Sequence, residues 1–291
     1  MHTKAQGIFY IILAGFFFSL MTFFVRISGD LPTMQKAFFR NAVAAAVSLV
    51  MLARSRQGFH VQKRSWPFLC MRCICGTAGL ICNFYAIDKL GLADANMLNK
   101  LSPFFAIIMS IFILGEKADK VEWLTVFIAF AGAMFVIKPS MHITSFYGLI
   151  GLLGGLGAGV AYTFVRKLGK MGERGPVIVM CFSVFSCLVS LPFLLFDYRP
   201  MSGRQLLCLL LAGAAATGGQ FSITKAYTKA PAKEISVFDY SQILFAALLG
   251  IMFLHEIPDR YSLLGYVIII GTAIYKWRYT LKKSSNMEKT Q

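Results

Sequence analysis

The chain has 291 residues, of which 57% are hydrophobic and 14% charged, and it carries a formal net charge of +16. So little polar surface cannot cover a water-soluble globule of this size, which places the chain in a bilayer. In a soluble protein the basic excess would suggest nucleic acid, but here Lys and Arg stand mainly between apolar blocks, where they set topology, so no nucleic-acid partner is expected.

A spanning helix needs about 20 apolar residues. Ten stretches qualify in chain order: Gly7 to Ile27, Met34 to Ala53, Trp66 to Ile87, Ala93 to Leu114, Trp123 to Ile137, Tyr147 to Arg166, Pro176 to Phe196, Leu206 to Tyr227, Ile235 to Leu254 and Ser262 to Tyr279. The first runs past signal-peptide length and lacks a small-residue cleavage site, so it reads as a span. The fifth is short and extends back toward Val121. Links are short and polar, punctuated by Pro32, Pro139, Gly175, Pro200 and Pro258.

Basic residues in the links set the expected orientation. With the N-terminus in the cytoplasm, that side collects Lys4, Arg54, Arg56, Lys63, Arg64, Lys117, Lys120, the group from Arg166 to Arg174, Lys229, Lys233 and the basic C-terminal tail. The other side holds far fewer. Both termini are therefore expected inside, in a bacterial cytoplasmic membrane.

Leu98 to Glu116 returns 140 positions later as Phe238 to Glu256. At that offset Phe105 meets Phe245, Ala106 meets Ala246, Leu114 meets Leu254, Glu116 meets Glu256 and Asp119 meets Asp259. The same offset lays Phe24-Val25-Arg26 and Gly29 on Phe164-Val165-Arg166 and Gly169. The chain thus reads as two copies of one unit, residues 1–140 and 147–280, followed by a basic tail at 281–291. An odd number of spans per copy turns the second one over. The expected fold is all-α: a polytopic membrane protein of ten transmembrane helices in two inverted five-helix repeats, with its site near the midplane between them.

The phrase FYAIDKLGLADANMLNKLSPFFAIIMSIFILGEKADKVEWLTVFIAFAGAMFVIKP, Phe84 to Pro139, resembles the EamA-type domain of the drug/metabolite transporter superfamily. So does Thr224 to Tyr275, and the Phe38-Phe39-Arg40 triplet fits as well. The resemblance covers essentially the whole chain. It implies a central cavity lined mostly by spans three, four, eight and nine, flux of small metabolites, and pairing of two copies through outer helices. It does not imply a substrate, since members carry amino acids, sugars, nucleotide sugars, cofactors and drugs.

Ionisable groups inside spans are expensive and are functional candidates by default. Lys100 lies some seven residues into span four, with Asn96 on the same face, Asn99 beside it and Pro103 shortly after. It either snorkels to the headgroups or faces the cavity and pairs with a carboxylate or phosphate. Asp239, the repeat counterpart of Asn99, is the one carboxylate placed clearly within a span. It is a candidate proton-coupling residue, or else a structural partner for Lys225 or Arg72. Tyr240 and Gln242 flank it. Arg72, Gly76, Gly79 and Asn83 form a polar and small stripe on span three, and Gln220, Thr224 and Tyr227 a comparable face on span eight. The substrate-binding candidates are therefore Lys100, Asn96, Asn99, Asn83, Arg72, Gln220, Tyr240 and Gln242. Arg40 is expected to be structural.

The in-span charges are mostly positive, which favours an anionic or zwitterionic substrate such as an amino acid. Span one lacks the carboxylate that the related small multidrug exporters use to trade protons for cationic drugs. Gly151, Gly155 and Gly159 are expected to form a helix-packing seam, and Glu116 and Glu256 solvated pairs at helix ends. Cys70, Cys73 and Cys75 have no second ligand cluster, so neither a metal nor a cofactor is expected. The leading expectation is a secondary transporter or facilitator working by alternating access. A lipid-carrier flippase shares the fold, and an intramembrane enzyme lacks any motif, so the chain is expected not to be an enzyme.

Overall fold

The computed structural model describes residues 2–55, 58–90, 92–138, 146–255 and 257–289. The first half contains α1 (His2–Ile27), α2 (Thr33–Arg54), α3 (Trp66–Leu90), α4 (Leu92–Asn99), α5 (Ser102–Leu114) and α6 (Lys120–Ile137). The second contains α7 (Phe146–Lys170), α8 (Gly175–Phe196), α9 (Gly203–Lys229), α10 (Ala232–Ile235), a 3₁₀ turn at Ser236–Tyr240, α11 (Ser241–Leu254) and α12 (Arg260–Lys289). Strands are absent among the described residues.

Nine helical stretches among the described residues are long and apolar enough to cross a membrane. The tenth expected span falls inside α12, where Lys276 and Arg278 dilute an otherwise apolar run. Large apolar side chains point outward around the bundle: Phe112, Leu195 and Phe196 are 78%, 72% and 92% exposed. In water this would be a vast unpartnered patch; in hydrocarbon it is the solvated surface, and the protein is integral to a membrane.

Packing follows a pseudo-two-fold exchange. α1 lies along α9 and α3 along α7, the same pairing with the halves swapped. α2 meets α8 and α6 meets α12, each rod against its own repeat counterpart. Small residues make these approaches close. A Cβ added at Gly79 would come within 3.0 Å of the Gly154 carbonyl oxygen, and one at Gly157 within 2.7 Å of Gly79 Cα, so α3 and α7 touch backbone to backbone. The expected seam at Gly151, Gly155 and Gly159 exists and receives α4 and α5: their added Cβ atoms would meet Leu98, Leu98 again, and Phe105 with Ser102.

The recurring aspartates have a local cause. Asp119 caps α6, accepting from the Glu122 amide at 2.8 Å, and Asp259 accepts from the Ser262 amide at 3.0 Å at the start of α12. Glu122 corrects the expectation that Asp239 alone is a carboxylate within a span. It is 2% exposed and pairs at 3.6 Å with Lys276 of α12, itself 1% exposed, so the α6–α12 contact buries a charge pair. Glu122→Leu is expected to lower the melting temperature by removing the carboxylate opposite Lys276, and Glu122→Leu/Lys276→Leu to recover part of it. A double variant no more stable than the single one would exclude that coupling.

Candidate substrate site at two facing helix breaks

The stretch expected as one fourth span is two helices. α4 ends as the Lys100 amide bonds the Asn96 carbonyl at 2.9 Å, and α5 restarts at Ser102 with Pro103 in its first turn. Pro103 has no N–H to return to the Asn99 carbonyl, and the Phe104 amide turns to Leu101 at 3.0 Å, which leaves the Lys100 carbonyl free of helical partners. The ninth span breaks at the equivalent place, through the 3₁₀ turn that ends at Tyr240, 140 residues on from Lys100. No proline marks this second break. Neighbours hold it: a Cβ at Gly15 would lie 2.8 Å from Ser241 Oγ, and Ser19 donates at 2.6 Å to the Gln242 carbonyl. The counterparts of Gly15 and Ser19 are Gly155 and Gly159, which seat the first break in the same way. Each break is thus cradled by the leading helix of the other half.

The two breaks meet. Lys100 Nζ donates to Gln242 Oε1 at 2.7 Å and to Asp239 Oδ2 at 3.2 Å, and Tyr240 OH donates to the freed Lys100 carbonyl at 3.0 Å. Lys100 and Asp239 are each 9% exposed, which rules out a lysine reaching for headgroups. The partners expected for Asp239 are engaged elsewhere. Arg72 Nη2 donates to Gln220 Oε1 at 3.4 Å and its guanidinium lies 4.0 Å from the centroid of Phe182, while Lys225 sits 5.1 Å from the centroid of Tyr10. A buried ion pair survives only with supporting hydrogen bonds, and Gln242 supplies one.

The remaining candidates are placed less directly. Asn96 and Asn99 are half-buried beside Lys100 and make no side-chain hydrogen bond among the described residues. Asn83 backs onto Gly154, and its buried Oδ1 has no partner. Tyr240 is fully buried, so it holds the junction and can meet a ligand only if the breaks part. Sequence reasoning missed Tyr162, which stacks on Tyr227 with centroids 4.9 Å apart and lies within electrostatic reach of Asp239, Arg72 and Arg40. A tyrosine in the middle of the glycine-rich α7 was the available signal.

Glu116 also departs from expectation. Its side chain is only 12% exposed and takes Arg166 Nε at 3.2 Å and Lys170 Nζ at 2.5 Å, while Arg166 Nη1 donates to the Thr228 carbonyl at 2.9 Å. This ties the ends of α5, α7 and α9 together instead of leaving a solvated pair. Glu256, its repeat counterpart, lies outside the described residues, as do Pro139 and His142.

Comparison with known proteins identifies the family. The EamA-like transporter family matches residues 5–138 and again 146–275. The chain is 32% identical over 272 residues to the pseudopaline exporter CntI of Pseudomonas aeruginosa, covering 92% of this chain and 95% of that one. It is 25% identical over 297 residues to human solute carrier family 35 member G1, covering 95% and 81%, and 26% identical over 294 residues to a riboflavin transporter of Vibrio cholerae, covering 97% and 96%. A crystal structure of a protein 17% identical to this chain superposes with a TM-score of 0.79 over 92% of this chain and 95% of that one, a likeness of fold. With both halves matched and relatives named as transporters, the chain belongs to the EamA-like transporter family and has the role of a membrane transporter.

Proposed function

We propose that the protein is a secondary transporter or facilitator that moves a small anionic or zwitterionic metabolite by alternating access, its two halves rocking about the junction of the two helix breaks. The observation that carries this reading is the Lys100–Asp239 pair, a buried ion pair contributed one partner from each half at the point where both helices are interrupted. Irregular backbone and paired charge at such depth are tolerated where they line a substrate path. A substrate carboxylate can take the place of Asp239 on Lys100, so that binding and the cross-half contact compete. The excess of basic residues at one end favours both termini in the cytoplasm, and similarity to a pseudopaline exporter favours the outward direction.

The test is uptake into proteoliposomes across labelled amino acids, organic acids, sugars and nucleotides, with and without an imposed pH gradient. Saturable uptake of an acidic or zwitterionic class is the expected result. Transport of neutral sugars alone would overturn the substrate class, and folded protein that moves no soluble compound would point to lipid-carrier flipping. Asp239 is the proton-coupling candidate. Asp239→Asn is expected to retain binding and to lose the response of flux to the pH gradient; a variant with wild-type gradient response would leave Asp239 a purely structural anion.

A further inference from the structure

Arg40 of α2 and Arg72 of α3 carry two guanidiniums into the bundle, and among the described residues neither meets a carboxylate. Arg72 is 2% exposed, and beyond its 3.4 Å bond to Gln220 and its stacking on Phe182 its buried Nε has no partner. Among the described residues Arg40 hydrogen-bonds the Met21 sulfur alone, at 3.9 Å, and its buried Nε is likewise unpartnered there. Among the described residues the carboxylates near the bundle interior are committed elsewhere: Asp239 to Lys100, Glu116 to Arg166 and Lys170, and Glu122 to Lys276. The two guanidiniums lie within electrostatic reach of each other, and Tyr162 lies within reach of both.

Like charges inside a helix bundle without a counter-ion are destabilising, and a chain selected only for stability would hold apolar side chains there. Arg40 and Tyr162 each keep part of their surface accessible, while Arg72 is buried. Asp239 answers Lys100, and no described carboxylate forms an ion pair with Arg40 or Arg72, which leaves two positive charges over. A guanidinium fork accepts a planar carboxylate or a phosphate through paired hydrogen bonds, and an unpartnered Nε is one prong of such a fork.

We propose that Arg40 and Arg72, flanked by Tyr162 and Gln220, form an anion subsite that receives a dianionic end of the substrate, either two neighbouring carboxylates or one phosphate. Arg40, expected from sequence to be structural, becomes a specificity-determining residue. The subsite rests on the transporter reading above and narrows it, because a simple monocarboxylate would leave one guanidinium unpaired.

The experiment is thermal unfolding of the purified full chain in chloride-free buffer, with succinate, inorganic phosphate or acetate added. Succinate or phosphate is expected to raise the melting temperature at concentrations where acetate does not, and whichever of the two acts identifies the chemistry of the dianion. Arg40→Gln and Arg72→Gln are each expected to melt above wild type when empty, because an unneutralised buried charge is gone, and to lose the ligand-induced shift. Arg40→Lys keeps the charge without the fork and is expected to weaken apparent affinity about tenfold. Both Gln variants melting below wild type or failing to fold would make the arginines structural and overturn the subsite. So would acetate acting as well as the dianions, a shift that survives both substitutions, or an Arg40→Lys chain with wild-type affinity. Uptake is read separately: a wild-type chain that transports a monocarboxylate yet binds neither dianion removes the subsite and leaves the transporter reading standing.

Discussion

Lys100→Met is expected to reduce substrate transport by about 100-fold, corresponding to roughly 3 kcal/mol of lost interaction at a buried charge pair. The substitution removes the cation that Asp239 and Gln242 both address, at 3.2 and 2.7 Å. It also strands a carboxylate that is 9% exposed, so the chain is expected to melt lower as well. The two effects separate in the double variant. Lys100→Met/Asp239→Asn removes both charges and should recover the melting temperature while transport stays lost, because no cation remains to meet the substrate at the break. Proteoliposome uptake and thermal unfolding, run on the same preparations, check both. Wild-type uptake by Lys100→Met would take Lys100 out of the site; recovery of transport along with stability in the double variant would make the pair a structural staple.

Gly155→Ala is expected to be one of the most damaging single-methyl additions in the chain. The new Cβ would lie 2.5 Å from the Leu98 carbonyl oxygen, a backbone atom two residues before Lys100. That oxygen cannot rotate aside, so either α7 moves off α4 or the break shifts with Lys100 on it. Overpacking of this kind costs about 1–3 kcal/mol, and here the displacement falls on the ion pair as well. Gly15→Ala, at the repeat-equivalent position, is expected to be milder. Its Cβ would first meet the Ser241 hydroxyl at 2.8 Å, which can turn away, and then the Gln242 nitrogen at 3.0 Å. Melting temperatures of the two variants, with folded yield as a second readout, decide the matter; equal losses would mean that both breaks relax alike.

Much of this molecule can be read from its residues because the bilayer makes few demands and makes them everywhere. Long apolar runs, basic links and a repeat at an offset of 140 residues lead to helices in two copies without reference to any contact. The break in the fourth span is legible too, since Pro103 cannot supply a helical N–H. Asp119 and Asp259 announce helix starts by the same local logic, each accepting from a backbone amide three residues on.

The pairing of charges across the halves was not legible. Asp239 finds Lys100 over a sequence separation of 139 residues, in preference to Arg72 or Lys225, because Gly15, Ser19, Gly155 and Gly159 bring the two breaks together, and no spacing rule encodes that meeting. The interruption of the ninth span is likewise invisible in its own residues, which contain no proline between Ser236 and Tyr240; packing against α1 imposes it. Glu116 shows the converse. At a helix end beside Lys117 it looks solvated, yet Arg166 and Lys170 bury it from another helix. Sequence by itself determined which segments enter the membrane and that they come twice, because partitioning and helix termination depend on composition and local backbone chemistry. Only the tertiary structure decided which interior charges meet a described carboxylate and which, like Arg40 and Arg72, do not, because compensation of charge in a low dielectric depends on distances that only packing sets.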